Sequence, residues 1–347
     1  MKFYLAPMEG TTGYIYRNAV HRWFGDGIDK YFTPFVVPHP KKALSPREVA
    51  DILPENNRDI PLVPQILTNS SGDFFRFEKM VMDLGYDEIN INIGCPSGTV
   101  TAKGRGAGFL EKTEQLDAFL YEVYASAVCK VSVKTRIGMY ETGEWPKLLE
   151  IYDKYPIHEL IVHPRTGKEM YTGTVHMDAW QYTVDHSGLP LCYNGDICRP
   201  DLKPLTELSV DEADTLCIPH EEECDTSANG DVVCREQRIA SEKLQAVMIG
   251  RGMIADPSLI RQIVGGAPAA YDELKGFLTQ LREDYLILYG SERNTLHRLK
   301  EIWAFMGRNY PECGRELKAV MKAESIDTYR AAEGCLLRKA YMTQQYA

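Results

Sequence analysis

No apolar run in this 347-residue chain approaches the roughly 20 residues that span a bilayer. The opening, MKFYLAPMEG, carries one lysine and a short apolar stretch broken by Pro7 and Glu9. That is too short for an export signal and reads as a first strand. An even, regularly spaced cysteine set is also missing. Nine cysteines at irregular intervals argue against a disulfide framework and point to a reducing cytoplasm. Excess positive charge is lacking: the net charge is −10, which does not advertise nucleic-acid binding. No repeat of 20–50 residues, no low-complexity tract and no opening dinucleotide fingerprint is found.

The charge that is present is uneven. From Tyr271 onward there are 12 basic and 11 acidic residues; the first 270 hold 27 and 38. Much of the acid lies in one run with Asp211, Glu212, Asp214, Glu221, Glu222, Glu223 and Asp225, read as a solvated loop.

Strand-length apolar runs occur at 3–6, 31–35, 62–67, 88–92, 131–136, 159–163, 191–194 and 246–249. Helical spacing fills the intervals, as in Phe74, Phe77, Val81 and Leu84. Such alternation over about 265 residues predicts an α/β fold, a (β/α)8 TIM barrel, followed by a small C-terminal helical domain. Gly265, Gly266, Ala267 and Pro268 mark the junction, giving domains at 1–266 and 269–347. In the second, Leu296, Leu299, Trp303 and Met306 form an apolar stripe, and Arg293, Arg298, Lys300 and Arg308 fall outside it as a basic face. A hydrophilic insertion is expected at about 217–238. Its Cys217, His220, Cys224 and Cys234 have no standard zinc spacing, so a solvent-exposed insertion is favoured over a metal site.

Chemistry in this fold collects where strands end. Those ends carry Ala6, Pro7 and Met8; Gln65; Asn92 to Cys95; Lys134 and Arg136; His163 and Arg165; Asn194, Gly195 and Asp196; and Gly250, Arg251 and Gly252. Asn90 and Asn92 share one strand face, as do Lys134 and Arg136. Turned inward, such groups need polar partners, because each unpaired one costs about 1–3 kcal/mol. Gly195 and Gly250 to Gly252 follow the last two strands, where backbone N–H groups can approach an anion closely. Lys134 suits a developing negative charge, and the amides suit a ring edge. A planar heterocycle with a phosphate tail, flavin mononucleotide (FMN), meets these demands.

These motifs resemble the tRNA-dihydrouridine synthases: APM at 6–8, Gln65, N-x-G-C-P at 92–96, KTR at 134–136, H-x-R-T at 163–166, NGD at 194–196 and GRG at 250–252. The resemblance covers residues 1 to about 265 and implies FMN-dependent reduction of uridine to 5,6-dihydrouridine in tRNA, with NADPH as electron donor. It implies hydride delivery to C6 and a proton from Cys95 to C5. It also implies flavin contacts from the strand-end residues, among them Gln65, Asn92, Lys134, His163 and Asn194. An ordinary thiol, with a pKa near ~8.5, is protonated at neutral pH and fits that role. Lys103, Arg105, Arg136 and Arg165, with Lys168 and Tyr171, are expected to hold the flipped nucleotide, and the helical domain to bind the RNA body. The glycine-rich stretch 97–108 reads as a mobile loop able to close over RNA. No membrane and no obligate protein partner is expected. Pro164 departs from the family pattern, and the acidic insertion is unusual. A flavin ene-reductase acting on a small molecule, such as a free pyrimidine, is the competing reading.

Overall fold

The computed structural model describes residues 1–39, 41–200 and 244–344. The insertion expected at 217–238, with its cysteines and His220, lies outside the described residues, as does the chain from 201 that precedes it. Nine parallel strands are described: β1 (Lys2–Leu5), β2 (Lys30–Phe32), β3 (Leu62–Val63), β4 (Gln65–Ile66), β5 (Glu88–Ile93), β6 (Lys130–Arg136), β7 (Leu160–His163), β8 (Leu191–Tyr193) and β9 (Leu244–Ile249). Their hydrogen-bonded order is β3-β2-β1-β9-β8-β7-β6-β5-β4.

The two ends of that order are neighbours in sequence, separated only by Pro64. Proline has no N–H to give a ladder, so one strand is split into two. Pairing continues on both sides of it: β3 lies along β2, β4 lies along β5, and the Asn90 N–H donates to the Pro64 carbonyl at 3.0 Å. The sheet therefore closes as an eight-stranded (β/α)8 barrel.

Alternation along the strands sorts the side chains. Ile89, Ile91 and Ile93 of β5 and Val131 and Val133 of β6 join the outer core beneath the helices. Their alternates point inward. On most strands these are apolar, and Tyr4, Ala6, Phe32, Val63, Ile161, Cys192, Ala246 and Met248 form a second, inner core. On β4 to β6 they are Gln65, Asn90, Asn92, Ser132, Lys134 and Arg136. The barrel interior is thus apolar on one side and polar on the other.

Outside, the helix Ser71–Asp83 starts where the Ser70 hydroxyl accepts from the Asp73 N–H at 3.3 Å, and it buries Phe74, Phe77 and Val81. After the barrel come four longer helices, Tyr271–Tyr289, Glu292–Met306, Gly314–Lys322 and Ile326–Gln344. Gly290, at φ 54°, ends the first, and the Ser291 hydroxyl caps the second. Phe277 packs edge-on against Tyr16 and Phe24 of the helix Tyr14–Phe24, which seats the helical region on the barrel flank. Within it, the buried Glu333 carboxylate accepts from Arg282, Trp303 Nε1 and Tyr329 Oη at 2.9, 3.2 and 2.8 Å. Among the described residues no helix is long and apolar enough to cross a membrane.

Candidate active site

The C-terminal ends of the strands open into a cavity of about 1060 Å³. Small-ligand pockets run to roughly 1,000 Å³, so this cavity is at the large end of that range. Of the residues expected from the sequence, Pro7, Met8, Gln65, Asn92, Gly94, Cys95, Lys103, Arg105, Lys134, Arg136, His163, Tyr171 and Arg251 line it. Ala6, Arg165, Lys168, Asn194, Gly195, Asp196 and Gly250 are not among its lining residues.

Cys95 follows β5 and is partly buried. Its N–H donates to Asn92 Oδ1 at 2.9 Å, and its carbonyl accepts from the Ala107 N–H at 2.9 Å. Burial pushes the thiol up from its usual pKa, against the opposing charges of Arg136 and Lys134. The thiol therefore holds its proton at neutral pH. The segment expected to be a mobile loop is folded instead. It forms a short helix, Gly98–Thr101, and a 3-10 turn, Gly106–Phe109, whose residues are all buried. Gly106 has φ 54°, and a Cβ there would meet the Cys95 carbonyl oxygen at 2.6 Å. This glycine is needed for close packing on the cysteine, not for mobility.

Lys134 reaches the cavity floor from β6 and is half-buried. No hydrogen bond or ion pair engages its ammonium within the described residues. Burial, and then the neighbouring Arg136 guanidinium, push its pKa down to about 8. Burial and the charges of Arg136, Lys134, Arg165 and Arg251 hold His163 well below its ordinary pKa, so it is neutral. Arg165 lies 3.3 Å from His163 Nε2. A guanidinium cannot accept, so Nε2 accepts and the ring proton sits on Nδ1.

Two of the three arginines expected to grip substrate, Arg136 and Arg165, are buried. Arg136 Nε donates to the Gly94 carbonyl at 3.0 Å, and its Nη1 donates to the Thr166 carbonyl at 2.6 Å. Arg165 is bonded to the carbonyls of Thr172 and Gly173 and to Asp196. Asp196 also takes Arg251. Burial raises the Asp196 pKa, but the two arginines outweigh it and hold the carboxyl below its usual range. Asn194 Nδ2 donates to the Met248 carbonyl at 2.8 Å, tying β8 to β9. Gly252 has a structural reason to be glycine, because a Cβ there would lie 2.0 Å from the Ile197 carbonyl. The loops after β8 and β9 pack backbone to backbone at that point.

The Tyr171 ring has two cations close to it, with Arg251 4.9 Å and Arg136 5.2 Å from its centroid. The helical region closes the far side of the cavity with Arg298, Glu301, Phe305 and Arg308. Arg298 and Arg308 were legible as cations outside the apolar stripe; Glu301 and Phe305 carried no such signal. The four expected basic-face residues do not act together, since Lys300 Nζ donates to the Ala323 carbonyl at 2.6 Å. Lys103 and Arg105 sit on the rim, where Arg105 reaches Asn69.

The donor set fits FMN. Among the described residues Lys134 has no partner, and Gln65 and Asn92 each spend one of two amide hydrogens, leaving one apiece. With Arg136, Arg251 and the His163 Nδ1–H, this wall is rich in donors. It suits a ring edge of carbonyls and an anionic tail.

Residues 4–208 match the family model described as "Dihydrouridine synthase (Dus)". The chain is similar to a "Probable tRNA-dihydrouridine synthase" of Staphylococcus epidermidis, at 28% identity over 262 residues, covering 74% of this chain and 69% of that protein. A protein of the same name from Staphylococcus aureus gives the same identity and shares. The "Probable tRNA-dihydrouridine synthase 2" of Bacillus subtilis is 27% identical over 262 residues, covering 74% of this chain and 70% of the relative.

Proposed function

Because the chain belongs to the dihydrouridine synthase family, we propose that it reduces uridine to 5,6-dihydrouridine in tRNA, with FMN in the barrel mouth and Cys95 as the proton donor. One observation carries this reading: a protonated thiol and an unpartnered lysine face one cavity, at the exits of adjacent strands.

When bound, FMN would supply a hydride to C6 of the uracil, with NADPH as the source of electrons. The residues of the chain do the rest. Lys134 would sit against the electron-rich edge of the ring, and Gln65 and the His163 Nδ1–H would fix its orientation. Cys95 holds its proton at Sγ and gives it to C5, and the thiolate regains a proton through the cavity mouth. Arg136 acts on the substrate indirectly, by joining the β5 exit to the loop after β7. Lys103 and Arg105 on the rim, with Arg298 and Arg308 opposite, would hold the phosphates flanking a flipped nucleotide. Residues 269–347 would then form the RNA-binding domain and 1–266 the catalytic one. The cytoplasm is the proposed place of this work.

The test is deletion of the gene followed by quantification of dihydrouridine in bulk tRNA, with each site mapped. Loss at one or more positions, restored by the wild-type gene, supports the reading; unchanged levels at every site refute it. Purified protein should be yellow. Turnover of a free pyrimidine without RNA would favour the small-molecule ene-reductase instead.

A further inference from the structure

We infer that Ser132, Asn90 and Gln65 form a one-way hydrogen-bond chain that positions the Cys95 loop through Asn92. This rests on the reading of Cys95 as the proton donor. The chain starts at the bottom of the barrel. Glu88 Oε2 takes Lys30 Nζ at 2.7 Å, and its Oε1 accepts from the Ser132 hydroxyl at 2.8 Å. Ser132 Oγ accepts from Asn90 Nδ2 at 3.0 Å, and Asn90 Oδ1 accepts from Gln65 Nε2 at 2.8 Å. Gln65 Oε1 accepts from Asn92 Nδ2 at 2.9 Å. Asn92 Oδ1 then accepts from the backbone N–H groups of Gly94 and Cys95, at 3.1 and 2.9 Å.

Both ends of this chain set its direction. A carboxylate paired with lysine accepts and does not donate, whereas a backbone N–H donates and never accepts. Starting from Glu88, each oxygen must point toward the cavity mouth; starting from Cys95, the same orientation follows. Turning one amide over would set donor against donor and acceptor against acceptor. Gln65, Asn90 and Ser132 are completely buried, so water offers no substitute. Apolar side chains fill the opposite wall at the same depth, which shows that the barrel can pack without such a chain. The chain ends on the peptide of the reactive thiol. Ser132, Asn90 and Glu88 are thus positioning residues, acting across three strands on a group they never touch.

The test uses Ser132→Ala, Asn90→Leu and Asn90→Asp in the full-length protein as purified. Three readouts apply: iodoacetamide alkylation of Cys95, resolved from other cysteines by peptide mass; NADPH reduction of the bound flavin; and reduction of tRNA. In Ser132→Ala and Asn90→Leu the loop loses its anchor. Cys95 should alkylate at least about threefold faster, and tRNA turnover should fall about 10- to 100-fold, as for a displaced reacting group. Flavin reduction, which does not use the thiol but borders Gln65, should fall by less than turnover does. Asn90→Asp keeps an acceptor for Gln65 but sets a carboxylate that cannot donate against Ser132, whose one proton goes to Glu88, so it should be as defective as Asn90→Leu in labelling and turnover.

Cys95 labelling and turnover unchanged in both Ser132→Ala and Asn90→Leu would overturn the inference. So would flavin reduction falling in step with turnover, which would assign the chain to the flavin pocket. Asn90→Asp near wild type in labelling and turnover would remove the directional argument. If Asn90→Leu does not fold, Ser132→Ala decides. Should the wild type neither hold flavin nor reduce tRNA, the proposed function fails, and the labelling comparison still judges the chain.

Discussion

Replacing Lys134 by methionine should stabilise the ligand-free protein while weakening its hold on flavin. The ammonium is half-buried, unpartnered and beside Arg136, so its charge is disfavoured in the folded state. A fall from the usual 10.5 to about 8, at roughly 1.4 kcal/mol per pH unit, amounts to about 3 kcal/mol. The sign follows from proton binding. Below about pH 8 both folded and unfolded chains carry the charge, and the penalty is fully present. Between 8 and 10.5 the unfolded chain binds the extra proton, so stability rises with pH until the penalty is gone. Methionine has a similar length and no charge, so its advantage is largest below pH 8. In thermal melts of flavin-stripped protein, Lys134→Met should gain roughly 3–5 °C at pH 7 and nothing above pH 10.5. With FMN added, the order should reverse, because only the wild type has the cation to stabilise the bound ligand. A variant no more stable than wild type at pH 7, or one whose gain persists above pH 10.5, would refute the reasoning. It would show that the lysine has a partner or that water reaches it freely.

Cys95→Ala should keep the flavin colour and bind tRNA, but lose about 10²–10⁴-fold in turnover measured as dihydrouridine formed, the usual worth of a positioned acid. In the wild type the burial-raised thiol stays protonated above its ordinary range. A fall in turnover as Lys134 loses its proton should therefore come above the value of about 8 that holds for the ligand-free protein, because a bound electron-rich ring favours the ammonium, and Lys134→Met should abolish that limb of the pH–rate profile. Arg308→Ala should weaken tRNA binding and reduce the slope of log affinity against log salt by about 1, with flavin content unchanged, in filter binding at several salt concentrations. Glu333→Ala strands the buried Arg282 guanidinium and removes the acceptor for Trp303 and Tyr329; urea unfolding should show a loss of about 3–5 kcal/mol.

Alternation made the barrel legible, because β-branched runs and helical stripes are local signals. The face of each strand was legible for the same reason: Asn90 and Asn92 do point inward. Their partners were not, since Gln65 lies 25 residues before Asn90 and Ser132 lies 42 after it. Strand periodicity identifies a face but names no neighbour across the sheet. The inward amides therefore looked as though they needed a ligand, whereas much of their capacity is met by one another. Arg165 illustrates the same limit. A cation two residues past a strand reads as a substrate contact, yet Asp196, 31 residues on, takes it into the barrel wall. Arg298 and Arg308 could be picked out because a charge that falls outside an apolar stripe is visible locally.

The buried arginines explain how a chain of net charge −10 can present a cationic site. Attraction over distance is set by all charges and screened within about 10 Å in ordinary salt, so the acid elsewhere on the surface counts little inside a cleft. Within the cavity the balance is local: Lys134, Arg136 and Arg251 face it, Lys103 and Arg105 rim it, and Arg298 and Arg308 close it. Two carboxylates also line it, Glu9 and Glu301, and each is paired, to Arg47 and Arg298. Asp196 neutralises Arg165 from behind and shares Arg251, so the positive charge that remains is directed at the floor, around Lys134. An overall count of charge weighs the surface that meets solvent, whereas affinity for a phosphate or an electron-rich ring depends on the few groups that meet it without water between. For this reason the salt dependence of tRNA binding should follow the cavity rim and the helix Glu292–Met306, and substitutions among distant surface acids should leave it nearly unchanged.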